Sequence, residues 1–495
     1  MTDLSVQLTA PNGHTWTQPT GLFINNQWVK CSTGEKIASI NPTTAKEITS
    51  IHAASADDVD KAVKAARAAL NNPCWRDLPG IDRGKLMNRL AQLIEDNRAT
   101  LATIETIDNG KPYSVSFNDD LTETAETIRY YGGYADKVFG QVIDTTPDKF
   151  AYTVREPVGM ELPPCYGRLE ARPSPRLRKH SRPQASGANP SLNPLPCQPD
   201  CGGRLPPGVV NIVNGHGAIA GAALASHMDV DKIAFTGSTA TAKQIMKMAS
   251  VNLKNITLET GGKSPLIVFN DADLEQAVEW AHIGIMYNQG QICTATSRIL
   301  VQDEIYDRFL EAFKAQVKNV SKVGDPFEES TFQGPQVTQA QYDRIMSYID
   351  VGKSEKATLV AGGKPFTGVG DGKGFFVEPT IFTDVTPKMR IYQEEVFGPF
   401  VVIARFSEEK DAIEMANDST YGLGSALFTT NLTRAHRVAK KIEAGMVWIN
   451  SSNDSDWRIP FGGVKQSGIG RELGEAGLAA YSNIKAIHVN MKSKL

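Results

Sequence analysis

Long apolar runs are missing from this chain. No segment reaches the roughly 18–20 consecutive apolar residues that a membrane span requires, so no membrane partner is expected. Basic residues are missing from the start: the first is Lys30, so no basic presequence is written there and a chain made without a cleaved leader is expected. Cysteine is sparse, six in 495 residues (Cys31, Cys74, Cys165, Cys197, Cys201, Cys293), with no CxxC pair and with histidines scattered singly. That pattern argues against a disulfide framework, a metal site and a Cys/His protease pair, and it points to a reducing compartment. Neither charge sign dominates: 52 Lys and Arg face 55 Asp and Glu, for a net charge of -3, which excludes a nucleic-acid partner held by overall charge.

One block lacks much more. The 48 residues from Met160 to Pro207 contain no Val, Ile, Thr, Phe or Trp, yet hold 11 of the 27 prolines and three of the six cysteines. So few strand formers among so many prolines read as disorder. The block nevertheless interrupts a chain whose other segments alternate strand and helix patterns.

At this length the chain can bury a large core and divide it among domains. Residues 56–70 put Val59, Ala62, Val63, Ala66 and Leu70 on one helical face, and a second amphipathic stretch runs from Arg83 to about Ile107. QVIDTTPDKFAYTVREP, 141–157, reads as two short strands around Pro147 and Asp148, too thin to be stable alone and so packed on something else. From Val209 the rhythm is α/β: strand VVNIVNG, a small-residue helix near 218–227, strand DKIAFTG, helix TATAKQIMKMAS and strand NITLE. A second α/β region follows with helix DADLEQAVEWAHIGIMY, strand RILVQ, helix EIYDRFLEAFKAQVKNV and strands VVIARF and GMVWIN, and IKAIHVN is a candidate last strand. Such alternation implies parallel sheets with helices on their faces.

Four motifs carry chemistry. In IAFTGS, Ile233–Ser238, a strand meets Gly237 and a helix begins at once, which turns free N–H groups and the positive helix end outward, a natural seat for a pyrophosphate; an ordinary strand-to-helix turn is the plain alternative. NQGQICTATSR, Asn288–Arg298, sets Cys293 in a polar connection, which favours an accessible, activatable thiol over a small core hydrophobe. In LETGGKSP, Leu258–Pro265, Glu259 ends a strand beside apolar neighbours that can raise its pKa toward that of a general base, and the Gly pair lets the backbone pass closely. Last, EEVFGPF (394–400), STYGLG (419–424) and PFGGVKQSGIGRE (460–472) cluster glycines at constrained turns, which physics alone allows to be structural corners.

Taken in this order, the motifs resemble the NAD(P)-dependent aldehyde dehydrogenase superfamily over nearly the whole chain except about 160–204, and within it the broad class that oxidises simple aldehydes to acids. The resemblance implies an α/β fold with a Rossmann-type cofactor domain (1–132 and 158–258), an α/β catalytic domain (259–465) and a small β oligomerisation arm with its tail (133–157 and 466–495), assembled as a homodimer or homotetramer. It implies NAD or NADP as cofactor, a thiohemiacetal and then a thioester on Cys293, and a hydrolytic water activated by Glu259. Gly217, Gly237 and Ser238 would contact the cofactor, the last two at its pyrophosphate, while Glu395 and Phe397 would hold the nicotinamide ribose and ring. Thr260 departs from the family's usual Leu after the catalytic Glu, a change that touches the base's packing and leaves its carboxylate.

The anomalous block is the larger departure. There the family carries a WNFP motif, whose Asn completes an oxyanion hole, and a VLKP strand, whose Lys binds the adenosine ribose. Neither is present. Synonymous codons exist for which Met160–Cys165, read one base later, begins WNFP, Arg178–Ala185 becomes GNTVVLKP and Gln198–Arg204 becomes SLIAEAG. A frameshift or a mis-spliced gene model is therefore expected. If the block is genuine, the lost oxyanion donor costs roughly 10²- to 10³-fold and the chain is an impaired or structural relative; semialdehyde oxidation is the rival within the family. The final Ser493, Lys494 and Leu495 match the peroxisomal address read by the import receptor, with the cytoplasm as the alternative location.

Overall fold

The structure, a computed structural model, describes residues 4–159 and 205–492. The block Met160–Arg204 and the terminal Ser493–Leu495 lie outside the described residues.

Three hairpins open the fold: β1 (Ser5–Thr9) with β2 (Thr15–Pro19), β3 (Leu22–Ile24) with β4 (Gln27–Val29), and β5 (Lys36–Asn41) with β6 (Lys46–His52). Helix α1 (Ala56–Asn71) starts at a capping box in which Ser55 Oγ accepts from Asp58 N and the Asp58 carboxylate accepts from Ser55 N, so two amides at the helix start are satisfied. Its Val59, Ala62 and Val63 are buried, the face expected from their spacing. The amphipathic stretch 83–107 is two helices rather than one, α2 (Gly80–Asp96) and α3 (Arg98–Asn109). They break at Asn97, whose side chain donates back to the Leu93 carbonyl and competes with the helix ladder. Helix α4 (Leu121–Tyr134) packs on α2, and the chain then enters β7 (Val142–Thr146) and β8 (Lys149–Pro157).

Residues 209–215, expected as a strand, are not one. Only an isolated bridge between Ile212 and Phe23 forms, and Asn211 Oδ1 accepts from Asn25 N, so this segment closes the β3–β4 hairpin instead of joining a sheet. The expected small-residue helix begins as a π turn at Gly217–Gly221 and becomes α-helical only over Ala222–Ser226.

Among the described residues, a smaller sheet holds β9 (Lys232–Thr236) parallel to β10 (Asn255–Glu259), with helix α5 (Thr239–Ala249) crossing between them. The larger sheet is built from β11 (Pro265–Val268), β12 (Arg298–Gln302), β13 (Thr358–Ala361), β14 (Thr380–Thr383), β15 (Phe400–Phe406), β16 (Gly424–Phe428) and β17 (Met446–Ile449), in the order β13-β14-β15-β12-β11-β16-β17. All its pairings are parallel except β13 with β14. Its strands read as continuous apolar runs because both faces are covered. Leu266, Val268, Ile299, Val301, Val401 and Ile403 pack under α6 (Leu274–Met286) and α7 (Tyr306–Val320). Ile267, Leu300 and Val402 face the other way, toward α8 (Gln339–Ser354), α9 (Glu409–Asn417) and α10 (Leu432–Ala439). Each of these nearly water-free aliphatic chains is worth about 1.5–3 kcal/mol of burial.

Strand β18 (Gly468–Ile469) returns to pair antiparallel with β10. The expected last strand forms as β19 (Ser482–Asn490) and pairs along the whole of β8, from Ser482 with Pro157 to Asn490 with Lys149, making a three-stranded arm with β7. The fold is thus α/β, and the chain crosses from its smaller sheet to its larger one through Thr260–Ser264.

Candidate active site

That crossing organises the site. Glu259 is the last residue of β10, and its carbonyl accepts from Gly237 N at 3.0 Å, so the turn that begins α5 is tied to the candidate base. Ser238 is the N-cap of α5, its hydroxyl accepting from Thr241 N at 3.2 Å; the remaining first-turn amides give the anion-favouring helix start expected there.

Beyond Glu259 the backbone runs where side chains have no room. A Cβ on Gly262 would stand 2.6 Å from the Cys293 carbonyl oxygen, and one on Gly261 would strike the Glu395 carboxylate. Glu395 Oε1 accepts from Gly262 N at 3.0 Å, while Arg344 Nη2 on α8 donates to the Glu395 carbonyl at 2.6 Å. Gln341, on the same helix, donates to the carbonyls of Val396 and Phe397. Phe397 is buried and held at φ 64°, a conformation that costs a bulky residue about 1–3 kcal/mol and persists only where neighbours over-determine it.

Strain also marks the turn before Cys293. Asn288 and Gln289 both adopt left-handed φ, 50° and 57°, and Gly290 packs on the Gly398 backbone, which brings the cysteine loop against the Glu395–Phe397 segment. The polar connection around Cys293 folds inward: Gln291, Thr294 and Thr296 are buried, and Cys293 is 6% exposed, contrary to the accessible thiol expected of it. Some of its polar neighbours bond to distant parts of the chain: Gln291 Oε1 accepts from Val337 N and Thr296 N donates to the Gly284 carbonyl.

Glu259 is 2% exposed, and neither carboxylate oxygen has a hydrogen-bond partner among the described residues. Burial holds its pKa well above the ordinary carboxylate range; the negative Glu472 adds to the rise and Arg471 opposes it. Both belong to the glycine-rich 460–472 segment, which wraps Glu259. Gly462, at φ 149°, leaves only 2.6 Å between an added Cβ and Glu259 Oε1, and Gly468 pairs directly with Glu259. Glycine is therefore required here by the approach of the carboxylate, a role that spacing alone left as a structural corner.

The structure thus joins Gly237, Ser238, Glu259, Cys293, Glu395 and Phe397 around Thr260–Ser264. Gly217 makes none of the hydrogen bonds just described; it opens the π turn that leads into the short Ala222–Ser226 helix against α5. Sequence reasoning missed Gln341 and Arg344, which carry no motif, and Lys263, a buried amine two residues from Gly261. It also missed a Cys/His contact, since Cys31 Sγ lies 3.2 Å from His52 Nδ1; both are buried in the N-terminal hairpins. Among the described residues no cluster of His, Cys, Asp or Glu is suited to a metal, and no helix is long and apolar enough to cross a membrane.

A buried cysteine and a buried carboxylate without a hydrogen-bond partner among the described residues, set on an α/β frame beside a helix start suited to phosphate, suit an oxidoreductase of the dinucleotide-dependent kind. The chain belongs to the aldehyde dehydrogenase family, whose model matches residues 28–162 and 201–487. It is similar to the aldehyde dehydrogenase of Alternaria alternata, 48% identical over 98% of either chain, and to aldehyde dehydrogenase [NAD(P)+] 1 of Saccharomyces cerevisiae, 46% identical over 96% of each. Among solved structures it resembles the NAD+ complex of the Bacillus cereus aldehyde dehydrogenase, with a TM-score of 0.87 and 40% identity covering 96% of this chain and 97% of that one. A Staphylococcus aureus betaine aldehyde dehydrogenase in complex with NAD+ gives a TM-score of 0.86 at 36% identity, covering 97% and 96%. The protein is accordingly an enzyme that oxidises aldehydes with NAD or NADP.

Proposed function

We propose that Cys293 is the nucleophile and Glu259 the general base of aldehyde oxidation to the carboxylic acid. Cys293 Sγ attacks the aldehyde carbon to form a thiohemiacetal, whose oxidation leaves a thioester on the sulfur. Glu259 then takes a proton from the water that attacks the thioester carbon, and the acid departs as the thiol re-forms. NAD(P), when bound, supplies the hydride acceptor for the oxidation. The residues fit such a cofactor: the α5 N-terminus beyond Gly237 and Ser238 offers amides to a pyrophosphate, Gly217 lies on the neighbouring turn, and the glycine cradle at Gly261 and Gly262 seats the Glu395 carboxylate, an acceptor suited to ribose hydroxyls, beside Phe397.

The observation that carries this reading is Glu259 itself, whose raised affinity for a proton comes from desolvation and whose carboxylate oxygens are not engaged by other described side chains. Purified protein supplied with an aldehyde panel and either cofactor should form NAD(P)H. Cys293→Ala should abolish this, and Glu259→Gln should stop after one NAD(P)H per site. Sustained turnover by either variant would overturn the assignment, and the panel separates simple aldehydes from semialdehydes.

Three further readings belong to the same proposal. The domains divide at 1–132 with 158–258, 259–465, and 133–157 with 466–495, and the arm of the last unit mates with a second copy in a dimer or tetramer; Val142 and Ile484, 75% and 64% exposed, offer the apolar contact. The block Met160–Arg204 reports a shifted reading frame, a view supported by the family match stopping at 162 and resuming at 201; a continuous genomic frame would remove it. The SKL tail directs the protein to peroxisomes, against which a tagged protein that stays cytosolic with its C-terminus exposed would count.

A further inference from the structure

Thr260 stands at a junction that the family resemblance does not explain. Its amide donates to the Ser467 carbonyl at 2.9 Å and its hydroxyl to the Gln466 carbonyl at 2.7 Å, so both of its donors anchor the end of β10 to the segment that wraps Glu259. The same Gln466 carbonyl accepts from Thr239 Oγ1 at 3.1 Å, and Gln466 Oε1 accepts from Lys243 Nζ at 2.8 Å, both on α5. Gln466 N donates to the Thr420 carbonyl at 3.0 Å. One residue thereby gathers the base strand, the first turn of the cofactor helix and the 419–424 turn. Ser467 reinforces it, its buried hydroxyl donating to the Gly261 carbonyl at 2.7 Å and accepting from Gly422 N at 3.0 Å.

Glu259 depends on this anchorage more than most bases would. With neither oxygen held by a partner among the described residues, its aim is set by backbone direction at 259–260 and by the packing of Gly462 and Arg471. Productive geometry tolerates only fractions of an ångström.

We propose that Thr260 is a positioning residue for Glu259: through its hydroxyl and Gln466 it ties the base to the cofactor helix α5, and it acts on thioester hydrolysis rather than on its formation. The proposal rests on Glu259 being the base. Removing the hydroxyl leaves the Gln466 carbonyl its bond from Thr239, so Thr260→Val orphans no backbone group and the fold is retained.

The test compares Thr260→Val, Thr260→Ser and Glu259→Gln by steady-state kcat, burst amplitude of NAD(P)H and the pH profile of kcat. Thr260→Val should lower kcat roughly fivefold, the kinetic equivalent of one neutral hydrogen bond, with an undiminished burst, an unchanged KM for the cofactor and a displaced pH inflection. Thr260→Ser, which keeps the hydroxyl, should restore kcat to within about twofold. Wild-type kcat and inflection in Thr260→Val, or equal losses in the Val and Ser variants, would overturn the positioning role while leaving the base assignment intact. Multiple turnovers by Glu259→Gln would instead remove the base assignment on which the proposal stands.

Discussion

Lys263 makes a quantitative test of the structure. It is 1% exposed, its ammonium has no hydrogen-bond partner among the described residues, and burial lowers its pKa from 10.5 to about 7. Arg298 and Arg344 push the same way, and only Glu394 opposes them. The folded state therefore releases its proton near pH 7 while the unfolded chain keeps it until about 10.5. Below about pH 7 both states carry the charge and the fold bears the full penalty, on the order of 5 kcal/mol at 1.36 kcal/mol per unit. Between those values the unfolded state binds more protons, so stability rises with pH. Replacing the amine by Lys263→Met removes the penalty and keeps most of the stem. The variant's advantage over wild type should accordingly shrink by about 2–3 kcal/mol from pH 6.5 to pH 9, or about 2–3 °C in Tm for a chain of 495 residues. Paired thermal melts at the two pH values read this directly, because the other titrating groups are common to both proteins. A Tm difference that does not change with pH, or that grows as pH rises, would refute the claim that the fold buries this charge.

Two more predictions concern the base. Because Glu259 holds its proton more tightly folded than unfolded, wild-type stability is lost as pH rises from the usual carboxylate range through the raised folded value, so Glu259→Gln should melt progressively higher than wild type across that window and hold a constant lead above it; parallel melting curves would count against a buried, titrating Glu259. Gly462→Ala would place a Cβ 2.6 Å from Glu259 Oε1 at a φ that L residues avoid, and should cut kcat by roughly 10²-fold while sparing the first NAD(P)H formed; turnover within twofold of wild type would show that the crowding is relieved elsewhere.

Long-period patterns were legible where a single principle governed them. Helix α1, the buried strands of the large sheet and the β19 strand follow from periodicity and turn chemistry, and the place of Glu259 at a strand end follows from a polar residue closing an apolar run. Residues 209–215 misled because an apolar run reads the same whether it joins a sheet or bridges once to a distant hairpin, as Ile212 does to Phe23. The break at Asn97 was hidden because one side-chain bond to Leu93 outweighs an otherwise helical pattern. Cys293 was expected near solvent because its neighbours are polar, but their partners, such as Val337 for Gln291, come from far along the chain. The glycines of 460–472 announced a constrained path without saying what constrained it. Only the approach of Gly462 to Glu259 gives them their reason.

Pairing β8 with β19 has a consequence for how the molecule comes to exist. Arg155 and Ser482, which bond across that pair, lie 327 residues apart, so during synthesis the β7–β8 hairpin must wait with an open edge until almost everything downstream has been made. Closing so long a loop is slow, and an unpaired edge invites the wrong neighbour. For this protein the interval of greatest risk falls during its own synthesis. Conditions that slow translation or crowd nascent chains should cost yield of assembled protein before they cost the activity of molecules already folded.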